Sequence, residues 1–474
     1  MKKNKQPSLK RRDFLKTSAL GTFGFTILPS YLITGARAAD GKLPPSKRVN
    51  LACVGVGGRA SGVIPSLCRG GHAHPVAFCD VDFSARRVEA NQKRFPDVKQ
   101  FKDFRVMLDQ MPDDIDAVSV VTPDHTHFPA AMLAMSLGKH VYVEKPLTHS
   151  YREAALLMQA EKKFGVVTQM GNQGHTSRGS VQFEQLVERG VVRDITKVEA
   201  WKTPGLFFMD AKQRFSTYPP EEPKPDTLDW DLWCGPAEMK PFSSKYHPFN
   251  WRAFYLYGNG MLGDWGAHII DFVHDFLELG QPTRLTPIKM DDHNEVIFPL
   301  NSQLVMQFPK RGGHPALELT WRDGADCHPK VPEKFWDKNK DGRPTPPELG
   351  GAGTVLYPEG ADYAITRGSH SGASDIIPGA QFDKFAEALR VENPKWDHLE
   401  SFTQACMGND RTRSPFSIGG SLTQTLMLGV ICQYLNRELN FDRAKERFIN
   451  DDRANALLDG PAPRKGWEEF YKMA

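Results

Sequence analysis

The sequence predicts an α/β fold of two unlike halves: an N-terminal doubly wound parallel sheet, then a C-terminal α/β domain built on an open, mainly antiparallel sheet. Three observations carry this. From Val49 to about Gln169 short apolar runs alternate with stretches of helical period, the pattern of β-α-β units. Beyond Gly190 the runs lengthen and alternate apolar with polar residues, as strands with one solvated face do. The first apolar run also leads directly into a glycine-rich turn.

Taken in order, the first half reads as strands at 49–54, 75–79, 117–121, 140–143 and 166–169, with helices through about Cys68, near 84–94, at 129–137 and at 150–164. The second half reads as strands at 196–201, 283–290, 295–298 and 304–308, with 317–321 following. Residues 323–353, rich in Lys, Pro and Gly, read as an irregular surface excursion, and helices are expected at 382–389, 422–435 and 442–448. The expected organisation is an export signal (1–38), a linker (39–48), a doubly wound first domain (49–170), a second domain (171–440), and a C-terminal segment (441–474) that packs back on the body.

The first residues are basic (Lys2, Lys3, Lys5, Lys10, Arg11, Arg12, Lys16) and run into an uncharged, mostly apolar stretch from Ala19 to Ile33, with a small-residue site at Ala36-Arg37-Ala38. Arg11-Arg12-Asp13-Phe14-Leu15-Lys16 resembles a twin-arginine export signal, so the expectation is delivery by export machinery to the periplasm. The apolar run is shorter than the ~20 residues a membrane span needs and no later run is both long and apolar enough, so no stable span is expected in the mature protein. The net charge of +3 belongs to this segment: without residues 1–38, 52 basic face 56 acidic side chains, a net of −4, and no nucleic-acid footprint is expected. Seven cysteines without C-x-x-C spacing argue against a disulfide scaffold or thiolate metal site, and no metal is expected.

Gly55-Val56-Gly57-Gly58-Arg59-Ala60 is a G-x-G-x-x-A turn of the Rossmann type. Gly55 permits the tight turn, Gly57 lets a pyrophosphate approach the backbone, and Ala60 keeps the helix close to the sheet. Asp80 ends the second strand, where a carboxylate meets ribose hydroxyls and disfavours a 2′-phosphate, so NAD is expected rather than NADP. Arg86 and Arg87 lie nearby and weaken that preference, because a guanidinium can reach a phosphate; they read as a solvated first-turn surface. Thr122-Pro123-Asp124-His125-Thr126-His127 forms a polar loop at a strand's carboxyl end, with His125 and His127 read as loop-ordering groups beside the nicotinamide rather than metal ligands.

Two groups of residues bear on chemistry. Lys145, in Glu144-Lys145-Pro146, stands just beyond a strand with its turn stiffened by proline, where an ammonium can bond a substrate hydroxyl or accept its proton. Asp264 and His268 are four apart on one helical face; the imidazole suits taking an alcohol proton, while Asp264 can hold its tautomer or a neighbouring hydroxyl. Asn172, His175, Trp251 and Arg252 supply amide, imidazole, indole and guanidinium groups suited to a ligand with many hydroxyls and one apolar face.

These residues together resemble the Gfo/Idh/MocA family of nicotinamide-dependent oxidoreductases, particularly exported bacterial members, and Met170–His175 looks like the corresponding segment of many of them. The resemblance implies Lys145 and His268 as the catalytic pair with Asp264 as their orienting partner, Pro146 in cis, and a homodimer or homotetramer formed through the second sheet. It implies hydride transfer between tightly bound NAD and a hydroxyl-bearing carbon of a sugar or glycoside. Two alternatives stand beside it: a redox-neutral NAD-dependent glycoside hydrolase and a non-catalytic sugar-binding protein. The 323–353 excursion departs from compact sugar dehydrogenases.

Overall fold

Val49–Val54 (β1) is buried along nearly its whole length, as a central strand covered on both faces must be. It is joined by Ala73–Cys79 (β2), Lys99–Phe101 (β3), Ala117–Val120 (β4), His140–Val143 (β5) and Thr168–Met170 (β6) in the order β3-β2-β1-β4-β5-β6, every pair parallel. The direction of winding reverses between β1 and β4, which opens a crevice at their carboxyl ends. A computed structural model describes residues 47–205 and 214–474, and the segment read as an export signal lies outside the described residues. Among the described residues no helix is long and apolar enough to cross a membrane.

Helix Tyr151–Phe164 shows how local sequence sets an element. Ser150 and Glu153 form a reciprocal capping box at its start, and Gly165 ends it with φ 63°, a left-handed conformation that glycine adopts without Cβ strain.

The second sheet has nine strands: Ile195–Lys202 (β7), Arg284–Met290 (β8), Ser302–Phe308 (β9), Leu317–Asp323 (β10), Ala352–Pro358 (β13), Ala364–Gly368 (β14), Ser374–Ile377 (β15), Leu439–Asp442 (β16) and Arg447–Phe448 (β17). Their order is β15-β14-β13-β7-β10-β9-β8-β16-β17, antiparallel except for the β7–β10 pair. This is the predicted two-part α/β fold.

Three local expectations differ from the structure, two of them for identifiable reasons. The 442–448 segment reads as a helix because Phe441, Ala444 and Phe448 mimic its apolar period; instead Asp442 accepts the Ala444 and Lys445 N–H groups, Glu446 takes φ 52°, and the chain folds into the β16–β17 hairpin. Residues 295–298 are not a strand: Asn294 Oδ1 accepts the Val296 and Ile297 N–H groups and leaves one isolated bridge, Phe254 to Ile297. The 382–389 helix extends only over Phe382–Phe385.

The 323–353 excursion is ordered by a small hairpin, Asp337–Lys338 (β11) with Pro344–Thr345 (β12), and its end enters β13. Asp337, Asn339, Asp341, Gly342 and Glu348 have calcium-loop spacing. However, Asp337 accepts the Gly379 N–H and Asn339 those of Asp341 and Arg343, and no three His, Cys, Asp or Glu side chains among the described residues form a metal cluster.

Helix Phe416–Leu435 is buried along most of its length and lies against elements of both halves. Thr423 Oγ1 accepts the Leu147 N–H at 3.2 Å, next to Lys145-Pro146, while Leu426 and Met427 meet helix Gly260–Ile269 at Gly266 and Gly263. A Cβ on Gly429 would stand 2.5 Å from Leu262 Cδ2. Gly429→Val should therefore overpack this contact and cost about 1–3 kcal/mol, read as a lower urea midpoint; an unchanged midpoint would show that the helix seat is loose.

Candidate active site

A cavity of about 430 Å³ occupies the crevice, running from the glycine turn after β1 to Asp264. Gly55, with φ 82°, turns so closely under β4 that a Cβ would lie 2.4 Å from the Val121 carbonyl oxygen, whereas Gly58 has open space where a side chain would stand. Gly55, Gly57, Gly58 and Arg59 lie on the cavity wall; Ala60 is fully buried behind it, at the start of helix Ala60–Leu67. The turn thus leaves backbone exposed toward the cavity, as a diphosphate requires.

Asp80 lies on the same wall, but its Oδ2 accepts the Val56 N–H at 2.9 Å and its Oδ1 that of Asp82 at 3.2 Å, so it braces the glycine turn as well as facing the cavity. Burial raises its pKa, opposed by those two N–H groups and by Arg87. Arg87 corrects the surface reading of the arginine pair. Arg86 is exposed, but Arg87 runs past Gly57, where a Cβ would come within 2.7 Å of its Cγ, reaches the cavity wall and bonds His247. Trp467, from the far end of the chain, also lines this end, with Arg105 stacked 4.5 Å over its ring. The sequence placed Arg87 near Asp80 but read it as solvated surface, and no local pattern signalled Trp467.

Thr122, Pro123 and Asp124 lie on the wall, while His125 and His127 stand behind it and order loops. His125 lies between the carbonyls of Tyr257 (3.1 Å) and Trp233 (2.8 Å), and His127 between those of Pro146 and Thr122 (both 2.9 Å). Burial lowers both pKa values, that of His125 to about 3, so each ring is uncharged and donates one hydrogen bond at a time. Glu144, also on the wall, accepts from Arg59 Nε (3.2 Å), Tyr142 Oη (3.0 Å) and Gln173 Nε2 (3.0 Å), which fixes the loop that carries Lys145. The Lys145–Pro146 peptide is cis.

At the inner end Lys145 Nζ is paired with Asp264, and Arg252 Nε stands 3.8 Å from the other Asp264 oxygen with its guanidinium 4.2 Å over the Trp251 ring. All four residues line the cavity. Burial pushes the Asp264 carboxyl up, but Lys145 and Arg252 outweigh it and hold the pKa below the usual value. Neighbouring Asp124, buried and accepting from the Asn259 backbone and side chain, is pushed up to about 7, chiefly by burial.

Four expected members of the site are placed or partnered differently. Asp264 is committed to Lys145 and Arg252 rather than to the His268 ring. His268 lies off the cavity wall, buried, its ring stacked on His370 at 3.7 Å. Burial, then Lys145, His370, Arg59 and Arg367, depress its pKa well below 6.5, so it is uncharged and lies within electrostatic reach of Lys145. His175 belongs to another cluster: its ring contacts Asp271 Oδ1 (3.0 Å) and Asp275 Oδ2 (3.3 Å). Asn172 is fully buried off the cavity wall.

Residues 49–172 match the family model described as oxidoreductase family, NAD-binding Rossmann fold, and residues 180–296 match its C-terminal alpha/beta domain, together just over half of the chain. A glycosyl hydrolase family 109 protein of Shewanella pealeana is 27% identical over 211 residues, 40% of this chain and 45% of its own. An inositol 2-dehydrogenase of Salmonella paratyphi B is 25% identical over 118 residues, 25% of this chain and 34% of its own. The chain thus spans less than half the length of these curated relatives. Among solved structures, the WlbA dehydrogenase from Bordetella pertussis in complex with NADH and UDP-GlcNAcA aligns with a TM-score of 0.54 at 13% identity, over 83% of this chain and 99% of that one. At that identity the likeness is one of fold.

Asp264→Ala should cost roughly 3–5 kcal/mol by leaving the Lys145 cation buried and uncompensated, measured by urea unfolding; a loss no larger than that of an exposed pair would mean that water reaches Lys145. For His175, burial opposes protonation, but Asp271 and Asp275 prevail and raise its pKa to about 10. Its stabilisation is therefore fully present below the unfolded value of 6.5 and is lost as pH rises through about 10. The parent should lose unfolding free energy across that window, and His175→Gln should lose less; parallel curves would place no proton on His175.

Proposed function

Since the chain belongs to the Gfo/Idh/MocA family of oxidoreductases, we propose that it transfers hydride between tightly bound NAD and a hydroxyl-bearing carbon of a sugar or glycoside. The observation that carries this is one cavity with a backbone-lined glycine turn at one end and the Lys145–Asp264 pair at the other. NAD, when bound, supplies the hydride-accepting carbon. Gly55, Gly57, Gly58 and Arg59 hold its diphosphate, Asp80 its ribose, and Thr122, Pro123 and Glu144 the wall beyond. Lys145 hydrogen-bonds the reacting hydroxyl, Asp264 positions that ammonium while Arg252 stands at its other oxygen, and His268, uncharged and set behind the cavity wall, is proposed to receive the hydroxyl proton. Trp251 offers an apolar face to the sugar.

A redox-neutral reading has its own support. Shewanella pealeana's glycosyl hydrolase family 109 protein is among the curated relatives, as is an alpha-N-acetylgalactosaminidase of Shewanella oneidensis at 25% identity over 211 residues. In that case the same groups would serve a transient oxidation, followed by elimination of the glycosidic substituent and water addition. Export to the periplasm is part of the proposal and is supported by the Arg11-Arg12 segment. Assembly into a dimer or tetramer through the nine-stranded sheet is likewise proposed, supported by exposed Ile288 on β8.

The test is to incubate purified protein with a set of methyl glycosides, following cofactor absorbance and products by mass spectrometry. A keto-sugar formed with an added acceptor supports net oxidation, and a free reducing sugar without net cofactor reduction supports hydrolysis. Saturable binding without either product would leave a binding protein. Lys145→Ala should lower turnover by roughly tenfold or more with nucleotide content unchanged; full activity would remove Lys145 from the reaction. Trp467→Ala and Asp80→Ala should each retain less NAD through gel filtration, and parent-like retention would detach those residues from the nucleotide.

A further inference from the structure

With Asp264 committed to Lys145 and Arg252, no carboxylate among the described residues orients the His268 ring, and its Nδ1 is buried without a hydrogen-bond partner among them. A ring in that condition keeps one orientation only if packing holds it. His370 supplies the packing: the two rings stack with planes 20° apart, and the His370 N–H donates to the His268 carbonyl at 3.3 Å.

The seat of His370 is itself built. The residue stands at the tip of the β14–β15 hairpin with φ 55°, a left-handed conformation uncommon for a side-chain-bearing residue. Its carbonyl accepts from Arg367 Nη2, and its Nδ1 lies 3.0 Å from Ser369 Oγ. Arg367 is buried, with its guanidinium 3.6 Å over the Phe272 ring. Facing the tip, two glycines leave room that no other residue would: a Cβ on Gly174 would lie 2.4 Å from the His370 carbonyl oxygen, and one on Gly179 2.5 Å from that of Gly372. The backbone of the 173–179 segment and the hairpin tip thus meet at van der Waals contact, and the result is one imidazole laid on another.

We propose that His370 is a positioning residue for the site described above, fixing the plane of the His268 ring and shielding it from water. The proposal rests on the reading of His268 as the proton-handling group. The cations that face His268 are Lys145, Arg59 and Arg367; the same three face His370, together with the Asp264 carboxylate. Shielding lets those cations and burial keep His268 uncharged. Removing the His370 ring admits water, weakens both effects and moves His268 toward its ordinary value of 6.5.

The test uses full-length holoprotein with isotope-labelled histidine, the His268 ring signal being assigned by its absence in His268→Gln. Between about pH 5 and 8, the range in which ordinary histidines titrate, His268 of the parent should not titrate. In His370→Ala its midpoint should enter that range, and in His370→Phe, which keeps a stacked ring, it should stay outside. A silent His268 in His370→Ala, or a midpoint in His370→Phe shifted as far as in His370→Ala, would overturn the proposal. Should His370→Ala not fold, Gly174→Ala, which displaces the hairpin tip, should produce the same entry into the range, and its failure to do so counts equally against it. Turnover of any accepted methyl glycoside should fall about tenfold or more in His370→Ala, recover within about threefold in His370→Phe, and lose its acid-side activity at higher pH in His370→Ala than in the parent. If Lys145→Ala is also fully active, the proposed activity fails, while the ring titration still judges His370.

Discussion

The Lys145–Asp264 ion pair is the constraint on which the arrangement turns. Lys145 follows β5 of the parallel sheet and Asp264 belongs to a helix from the second half, so their contact sets how the crevice meets the helix. Both side chains are only about 15% exposed, which makes the pair costly to desolvate and costly to break. Helix Phe416–Leu435 backs both partners, through Thr423 behind Leu147 and through Leu426 and Met427 behind the Asp264 helix. The pair is therefore held by packing as well as by charge.

That commitment sorts the proton states of the site. Lys145 and Arg252 keep Asp264 ionised, and the same Lys145 cation helps to keep His268 uncharged. Asp124, buried beside them, is left near neutrality at about 7. Two carboxyl groups with different protonation and an uncharged imidazole around one ammonium form a site able to hold and release a proton near neutral pH. His175, which shares the chemical identity of His268, has the opposite state because its neighbours are Asp271 and Asp275.

Closure of the nucleotide end comes from contacts that cross between halves. Asp229 N–H donates to the Val81 carbonyl, Lys102 Nζ to that of Thr227, and Arg87 meets His247, while Arg464 ties the C-terminal segment to Asp231 and the Gly235 carbonyl. Trp467 completes this wall, its ring in contact with Phe104 and Phe470. Chain segments distant in sequence thus close this end of the cavity on several sides.

The sequence by itself determined five of the six parallel strands, the 150–164 helix and the identity of the glycine turn, because each rests on interactions within a few residues: apolar period, a capping box, backbone freedom at Gly55; it missed the short, partly exposed β3. It also located Lys145, Asp264, Trp251 and Arg252. The tertiary structure decided their partners. Asp264 and His268 share a helix face four residues apart, yet Asp264 turns to a lysine 119 positions away, because a buried ammonium attracts it more strongly than a neutral imidazole. Strands β13 to β15, Arg87's inward course, Trp467 and His370 were likewise illegible, since each is fixed by contacts from remote segments, such as the hairpin tip seated on Gly174 and Gly179, and no short-range pattern encodes which distant backbone will fill a space that glycine leaves.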